Sequence, residues 1–185
     1  GENDVCLIKY NESGDQIWNR TWGGGSYDTA QAIITDSNGN IYITGYTSSY
    51  GEGNSDLFLL KYNNLGSFQW YRTFGGSSSD RGSRIALDSL GNIYILGWTE
   101  SFGSGGIDVL LIKYNKSGNQ EWYGTWGGSS SDHGYAIVID SQNNIYIGGD
   151  TYIYRDTYRI YDIFIIKYNI SGNILLLALG FVSIR

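Results

Sequence analysis

The most constraining feature of the sequence is a segment that occurs three times with small changes. It reads TDSNGNIYITGYT at 35–47, LDSLGNIYILGWT at 87–99 and IDSQNNIYIGGDT at 139–151. A second marker, the tripeptide IKY or LKY, starts at Ile8, Leu60, Ile112 and Ile166, which gives spacings of 52, 52 and 54 residues. A fixed period near 50 residues, built from short apolar segments, is typical of a β-propeller or another β array and not of a helical repeat.

Each period predicts four strands, which we name A to D in chain order. In the first full period they are Ala30–Thr35, Ile41–Thr47, Leu57–Tyr62 and Phe68–Phe74. The chain has 27 glycines and no proline, so its turns must be made with Gly, Asn, Asp and Ser. Asn143 stands where the first two copies of the A–B turn have Gly39 and Gly91. Since Asn tolerates positive φ best after Gly, this exchange predicts a left-handed turn residue at all three places.

The phase of the repeat predicts an all-β fold, a β-propeller segment of three four-stranded antiparallel blades plus an N-terminal half-blade. The half-blade spans 1–23 and the blades span 28–75, 80–127 and 132–180, within a single domain of residues 1–185. The half-blade lacks strands A and B, and the chain ends on strand D, so its ends do not complete one blade. We therefore expect an incomplete propeller, either a segment of a longer array or a protomer that self-associates through open blade edges.

The residues that carry the repeat resemble a known family. The pattern W-x-R-T-[WF]-G-G-x-x-x-D, followed by D-x-x-G-N-I-Y-I-x-G-x-T and D-x-x-x-x-K-Y-N-x-x-G, resembles the SBBP family of β-propeller repeats in about three and a half copies. The resemblance implies a propeller of about seven blades and an extracellular or cell-surface location, and it implies no particular activity. The last predicted strand, Ile174–Gly180, departs from the family pattern.

Composition and residue types argue against several classes of protein. The net charge of −6 does not suit a nucleic-acid surface. The longest apolar run, Ile174–Ile184, is too short for membrane insertion, which takes roughly 20 residues. With one cysteine and one histidine, the chain has no disulfide framework and no ordinary structural zinc site. Cys6 stands at the repeat position of large apolar residues, which predicts that it is buried.

The same inventory predicts that the protein is not an enzyme and has no catalytic residues. Ser131, Asp132 and His133 are adjacent in sequence, which is not how a catalytic triad is built. Lysine recurs at the end of each strand C, as Lys9, Lys61, Lys113 and Lys167. We expect a structural role for it, such as an ion pair with a neighbouring blade.

Aspartate also recurs at fixed repeat positions, including Asp28, Asp80 and Asp132. One interpretation is that these carboxylates bond to backbone N–H groups in turns. A second is that the three form an acidic, ligand-binding ring around a central channel. No cofactor is predicted, although calcium stays open because carboxylate oxygens suit it.

The repeat breaks in the third B–C loop, at residues 151–162. Its sequence TYIYRDTYRIYD is two residues longer than TSSYGEGNSD and TESFGSGGID in the first two blades. Aromatic residues with arginine suit protein interfaces and stacking on sugar rings. The candidate binding residues are Tyr152, Tyr154, Arg155, Tyr158 and Arg159. The alternative is an extended hairpin whose tyrosines pack on each other.

These observations favour a non-enzymatic module that binds or scaffolds a protein or glycan ligand through one loop face. Two alternatives stay open. The chain is part of a propeller hydrolase or lyase whose active site needs further blades, or it is a purely structural spacer array.

Overall fold

In a computed structural model that describes residues 1–155 and 158–181, the chain forms 14 β-strands and, within those ranges, no helix. The strands are β1 (Val5–Tyr10), β2 (Gln16–Trp22), β3 (Asp28–Thr35), β4 (Ile41–Thr47), β5 (Asp56–Tyr62), β6 (Phe68–Phe74), β7 (Asp80–Leu87), β8 (Ile93–Thr99), β9 (Asp108–Tyr114), β10 (Gln120–Trp126), β11 (Asp132–Ile139), β12 (Ile145–Arg155), β13 (Tyr158–Tyr168) and β14 (Ile174–Phe181).

The strands form sheets in which each strand pairs antiparallel with its neighbour along the chain. β1 and β2 make a two-stranded sheet, and β3–β6, β7–β10 and β11–β14 make three four-stranded sheets. Strands β3, β7 and β11 contact one another in succession, so strand A is the innermost strand of each blade. The predicted β-propeller segment, with three blades and an N-terminal half-blade, is confirmed.

The turns between strands A and B depend on one residue with positive φ. Gly39 and Gly91 have φ of +76° and +81°, and Asn143 has φ of +61° at the equivalent place, as predicted. In the first of these turns Asp36 accepts hydrogen bonds from the backbone N–H groups of Asn38 and Asn40, each at 2.9 Å. The local sequence therefore closes this hairpin without help from the rest of the chain.

The hydrophobic core is divided into layers that lie between successive blades. Between the first and second blades, Leu57 and Leu59 of β5 pack against Ile93 and Ile95 of β8, and all four are fully buried. Burial of each such side chain contributes about 1.5–3 kcal/mol. Because the core is formed only where two blades meet, no blade buries its faces alone.

A tryptophan and an arginine on the outer strand reinforce each junction. Trp70 lies against Gly118, in the C–D turn of the next blade, where an added Cβ would be 2.9 Å from the indole ring. Arg72 donates from Nε to the Gly118 carbonyl at 2.8 Å. Trp18 and Arg20 make the same contacts with Gly66. The aromatic residues of strand D therefore belong to the packing between blades, as predicted.

The recurring lysines do not pair with acids of a neighbouring blade in the described part of the chain. Lys61 lies 5.1 Å from the ring centroid of Tyr42, and Lys113 pairs at 2.8 Å with Glu121 of its own blade. Lys113 also donates to the Ile170 carbonyl of the next blade at 3.2 Å. The expected ion pair between blades is therefore replaced by cation–π contacts and hydrogen bonds to a turn.

The two end faces of the described chain are open. Ile163 and Ile165 of β13 are 53% and 50% exposed, whereas Leu57 and Leu59, at the same repeat positions, are fully buried. At the other end Cys6 is exposed, so the prediction that it is buried was wrong. Its repeat equivalents are covered by a preceding blade, which β1 and β2 do not have in this chain.

Candidate functional site

The first two B–C loops are closed by a compact set of hydrogen bonds. The hydroxyl of Thr47 donates to Asp28 and accepts the N–H groups of Ser49 and Tyr50, at 3.1 and 3.2 Å. Ser49 Oγ donates to the second oxygen of Asp28 at 2.7 Å. The second blade repeats all four bonds with its own Thr, Asp and Ser and with Phe102. These loops are therefore tied to the junction between blades.

The third B–C segment is a continuation of the sheet instead. Strands β12 and β13 pair without a break from Ile145 and Tyr168 to Arg155 and Tyr158, so residues 151–155 and 158–162 form the outer part of a long hairpin. The extended-hairpin interpretation is confirmed, and the rings of Tyr152 and Tyr161 lie 4.3 Å apart.

Of the five predicted binding residues, the structure describes only the side chain of Tyr152. The backbone of Tyr154, Arg155, Tyr158 and Arg159 belongs to the hairpin, with Tyr154 paired to Arg159 and Arg155 paired to Tyr158. The side chains of these four lie outside the described part of the structure. The hairpin places all five residues at the same end of one blade.

The extension removes hydrogen bonds that the other blades make. Asp132 and Asp162 each keep one buried carboxylate oxygen without a hydrogen bond. The equivalent oxygen of Asp80 receives the Thr99 hydroxyl. A buried polar atom without a partner costs about 1–3 kcal/mol. At these two aspartate positions the third blade therefore carries a local energetic cost that the first two blades do not.

The recurring aspartates Asp28, Asp80 and Asp132 bond to turns and are buried, with exposures of 2%, 0% and 1%. Each accepts the N–H of the second glycine of the preceding loop at 2.9 Å. This geometry supports the turn-bonding interpretation over an acidic ring around a channel, because the side chains are withdrawn from solvent.

A second carboxylate faces each of these aspartates across the first glycine of the loop; Asp56 and Asp108, which face Asp80 and Asp132, are buried, whereas Asp4, which faces Asp28, is exposed. A Cβ on Gly75 would lie 1.7 Å from Asp56 and 2.8 Å from Asp80, so only glycine fits between them. Burial, and then the charge of Asp80, raises the pKa of Asp56 from 3.8 to about 6. Burial also raises the pKa of Asp108, which faces Asp132.

The structure also assembles a cluster that sequence reasoning missed. Tyr135 donates to both oxygens of Asp150, at 3.2 and 3.1 Å, and His133 Nδ1 lies 3.6 Å from the same carboxylate. Burial and the charge of Asp150 raise the pKa of Tyr135. The available signal was the exchange of repeat residues, since Arg81 and Trp98 of the second blade become His133 and Asp150 in the third.

A groove of about 400 Å³ lies beside the unpaired edge of β1. It is lined by Leu7 to Tyr10 together with Ile33 and Ile41 of the first blade.

Within residues 1–155 and 158–181, no three His, Cys, Asp or Glu side chains are grouped so that they would hold a metal ion. Over the same residues, no helix has the length and apolar character needed to cross a bilayer.

Repeated four-stranded meanders with their cores between the sheets define a protein of the β-propeller repeat class. Residues 18–51 and 69–103 match the β-propeller repeat family SBBP, the family that the sequence pattern resembles.

Two curated relatives are similar over most of the chain. The regulatory protein FlaEY of Caulobacter vibrioides is 26% identical over an alignment of 140 positions that covers 64% of this chain and 15% of FlaEY. The uncharacterized WD repeat-containing protein L264 of Acanthamoeba polyphaga mimivirus is 26% identical over an alignment of 185 positions that covers 72% of this chain and 13% of L264. The chain therefore spans less than a sixth of either relative.

Proposed function

We propose that this chain is a non-enzymatic binding module that engages a partner protein through the long hairpin of its third blade. One relative is named a regulatory protein and the other a WD repeat-containing protein. These names support a repeat module that works through protein–protein contacts. An extracellular or cell-surface setting is part of the proposal and rests on the family resemblance alone.

The observation that carries the proposal is the difference between the third hairpin and its two counterparts. Two blades use a ten-residue polar loop, held to the junction by Thr and Ser hydroxyls. The third replaces it with paired strands rich in Tyr and Arg, and Tyr161 in that hairpin is 53% exposed. Aromatic and arginine side chains dominate the binding energy of protein interfaces. A change that leaves Asp132 and Asp162 with unpaired buried oxygens is not explained by packing.

A loop exchange tests the proposal with a matched control. Residues 151–162 are replaced by residues 99–108 of the second blade, whose end residues Thr99 and Asp108 also pair with each other. The intact chain and the variant are compared on a random dodecapeptide display library and on a glycan array. We expect the intact chain to enrich peptides and the variant to lose them.

The control variant carries the same ten residues in place of residues 47–56 of the first blade, and we expect it to keep the enriched peptides. Peptides that bind the third-blade variant as well as the intact chain would contradict the proposal. If the intact chain binds glycans and no peptides, the proposed protein partner is refuted in favour of a carbohydrate ligand.

A scaffold role is the second candidate, and the open end face supports it. Ile163 and Ile165 are half exposed at positions that the first two blades cover with a following blade. A face of this kind suits stacking on a further repeat, including one from a second copy. Light scattering after size-exclusion chromatography should show a discrete larger species that becomes monomeric in Ile165→Lys. A monomer at every concentration would refute self-association.

A further inference from the structure

The junction between the first and second blades contains a site for a guanidinium group, filled from within the chain. Arg81, on the inner strand of the second blade, lies 4.0 Å from the ring centroid of Tyr46 in the first blade. It lies 5.0 Å from the ring centroid of Trp98 in its own blade. Its Nε is buried without a hydrogen bond, so the two rings are the main contacts of the cation. At this junction the first blade thus receives an arginine side chain from the second blade, next to Tyr46 at the end of its strand B.

At the equivalent place, the third blade has different residue types. No described segment covers it there. Asp150 stands at the repeat position of Tyr46 and has a side-chain exposure of 22%. Tyr135 stands at the position of Ser83 and is 52% exposed. A carboxylate and a tyrosine ring therefore meet the solvent at the place where the first blade holds an arginine.

The position of Tyr135 follows from the backbone. The register of β11 and β12 shifts between Gly134 and Ala136, so Tyr135 is the extra residue of a β-bulge. Bulges redirect side chains, and this one brings the phenol to both oxygens of Asp150. The bond holds the carboxylate in place and leaves lone pairs on its oxygens for a further donor.

We propose that Asp150 and Tyr135 bind the guanidinium group of an arginine side chain presented by a partner polypeptide. This inference rests on the proposed function, because it names the chemistry by which a protein partner engages the third blade. The carboxylate accepts N–H groups of the guanidinium, and the exposed ring of Tyr135 supplies a cation–π contact.

Charge and geometry favour arginine over other occupants. The chain carries a net charge of −6, which attracts basic partners. A guanidinium offers five donors in a plane and stacks on aromatic rings, whereas an ammonium is a strongly hydrated point charge.

The test uses the intact chain, labelled with nitrogen-15, and the peptide acetyl-Gly-Arg-Gly-amide as the probe at pH 8. We expect amide shifts centred on residues 133–135 and 150, with a dissociation constant in the millimolar range, on the order of 1 mM. The same peptide with citrulline, a neutral isostere of arginine, should bind at least tenfold more weakly. Asp150→Asn should bind the arginine peptide at least tenfold more weakly than the intact chain does. The amide spectrum of this variant should keep the dispersion of a folded chain.

The control variant is Asp15→Asn, which removes an exposed carboxylate from a turn of the half-blade. It should bind the arginine peptide as the intact chain does. Equal binding of the citrulline peptide, or unchanged binding by Asp150→Asn, would overturn the inference.

The two proposals fail separately. If library peptides need the hairpin but bind Asp150→Asn as they bind the intact chain, the arginine site is refuted and the proposed function stands. If Asp150→Asn loses binding and the hairpin exchange has no effect, the proposed function of the hairpin is refuted and the arginine site stands.

Discussion

We predict that Asp56→Asn raises the free energy of unfolding at high pH, because Asp56 and Asp80 are two carboxylates buried close together. Asp56 is 3% exposed and faces Asp80 across Gly75. Asp80 is well supplied with donors, from Thr99, Ser101 and the Gly76 N–H. An asparagine at position 56 keeps the shape of the side chain, removes its charge and adds an N–H donor that faces the Asp80 carboxylate.

The magnitude follows from the raised pKa of Asp56. Its pKa is about 6 in the folded chain, against 3.8 ordinarily, because of burial and then the charge of Asp80. Between these two values the folded chain holds a proton that the unfolded chain has released. The free energy of unfolding therefore falls as the pH rises through this window, by at most about 3 kcal/mol. At pH 8 the variant should be more stable than the parent by about 1–3 kcal/mol, and below pH 4 this advantage should vanish.

The assay is urea unfolding followed by tryptophan fluorescence at pH 4, 6 and 8, with Glu12→Gln as a control that removes an exposed carboxylate. The control should follow the parent within about 0.5 kcal/mol at each pH. A stability difference between Asp56→Asn and the parent that does not change with pH would refute the reasoning. It would mean that Asp56 is not protonated preferentially in the folded chain.

Three further predictions concern the contacts between blades and can be checked by the same unfolding assay. Gly118→Ala should destabilise the chain by about 2–4 kcal/mol, since φ is +79° and the new Cβ would lie 2.9 Å from Trp70; a loss under about 0.5 kcal/mol would contradict the tight contact between Trp70 and Gly118. Arg72→Gln should lower the free energy of unfolding by about 1–2 kcal/mol, because it removes the bond to the Gly118 carbonyl. The control Arg84→Gln should leave stability unchanged, because this exposed arginine bonds only to the adjacent carbonyl. Asn143→Ala should cost about 1 kcal/mol because φ is +61°, and Asn143→Gly should be tolerated; equal losses would show that φ is not the cause.

The parts of the fold that follow from local sequence were predicted well. Strands Ile41–Thr47 and Phe68–Phe74 have the predicted bounds, because Gly- and Asn-containing turns limit them. Strands A and C begin earlier than predicted, at Asp28 and Asp56, because these polar residues pair with Thr47 inside the ladder. Their carboxylates are satisfied by loop groups, which a pattern of apolar residues does not reveal.

The candidate site was predicted only in part. The unusual third B–C segment was visible in the sequence as a break in the repeat at residues 151–162. The cluster of His133, Tyr135 and Asp150 was not, because its members are separated along the chain and meet through strand pairing and a bulge. The exposure of Cys6 was missed for a related reason, since the repeat position indicates burial only where a neighbouring blade is present.

The sequence by itself determined the number, order and turns of the strands, because each hairpin is closed by residues that lie next to each other in the chain. Tertiary structure decided everything that depends on two blades meeting. The packing of one blade on the next covers Leu57 and leaves Ile163 exposed, although both stand at the same repeat position. It brings Asp56 and Asp80 together across Gly75 and raises the pKa of Asp56. Burial and charge are properties of neighbours in space, so identical repeat positions acquire different chemistry at each junction.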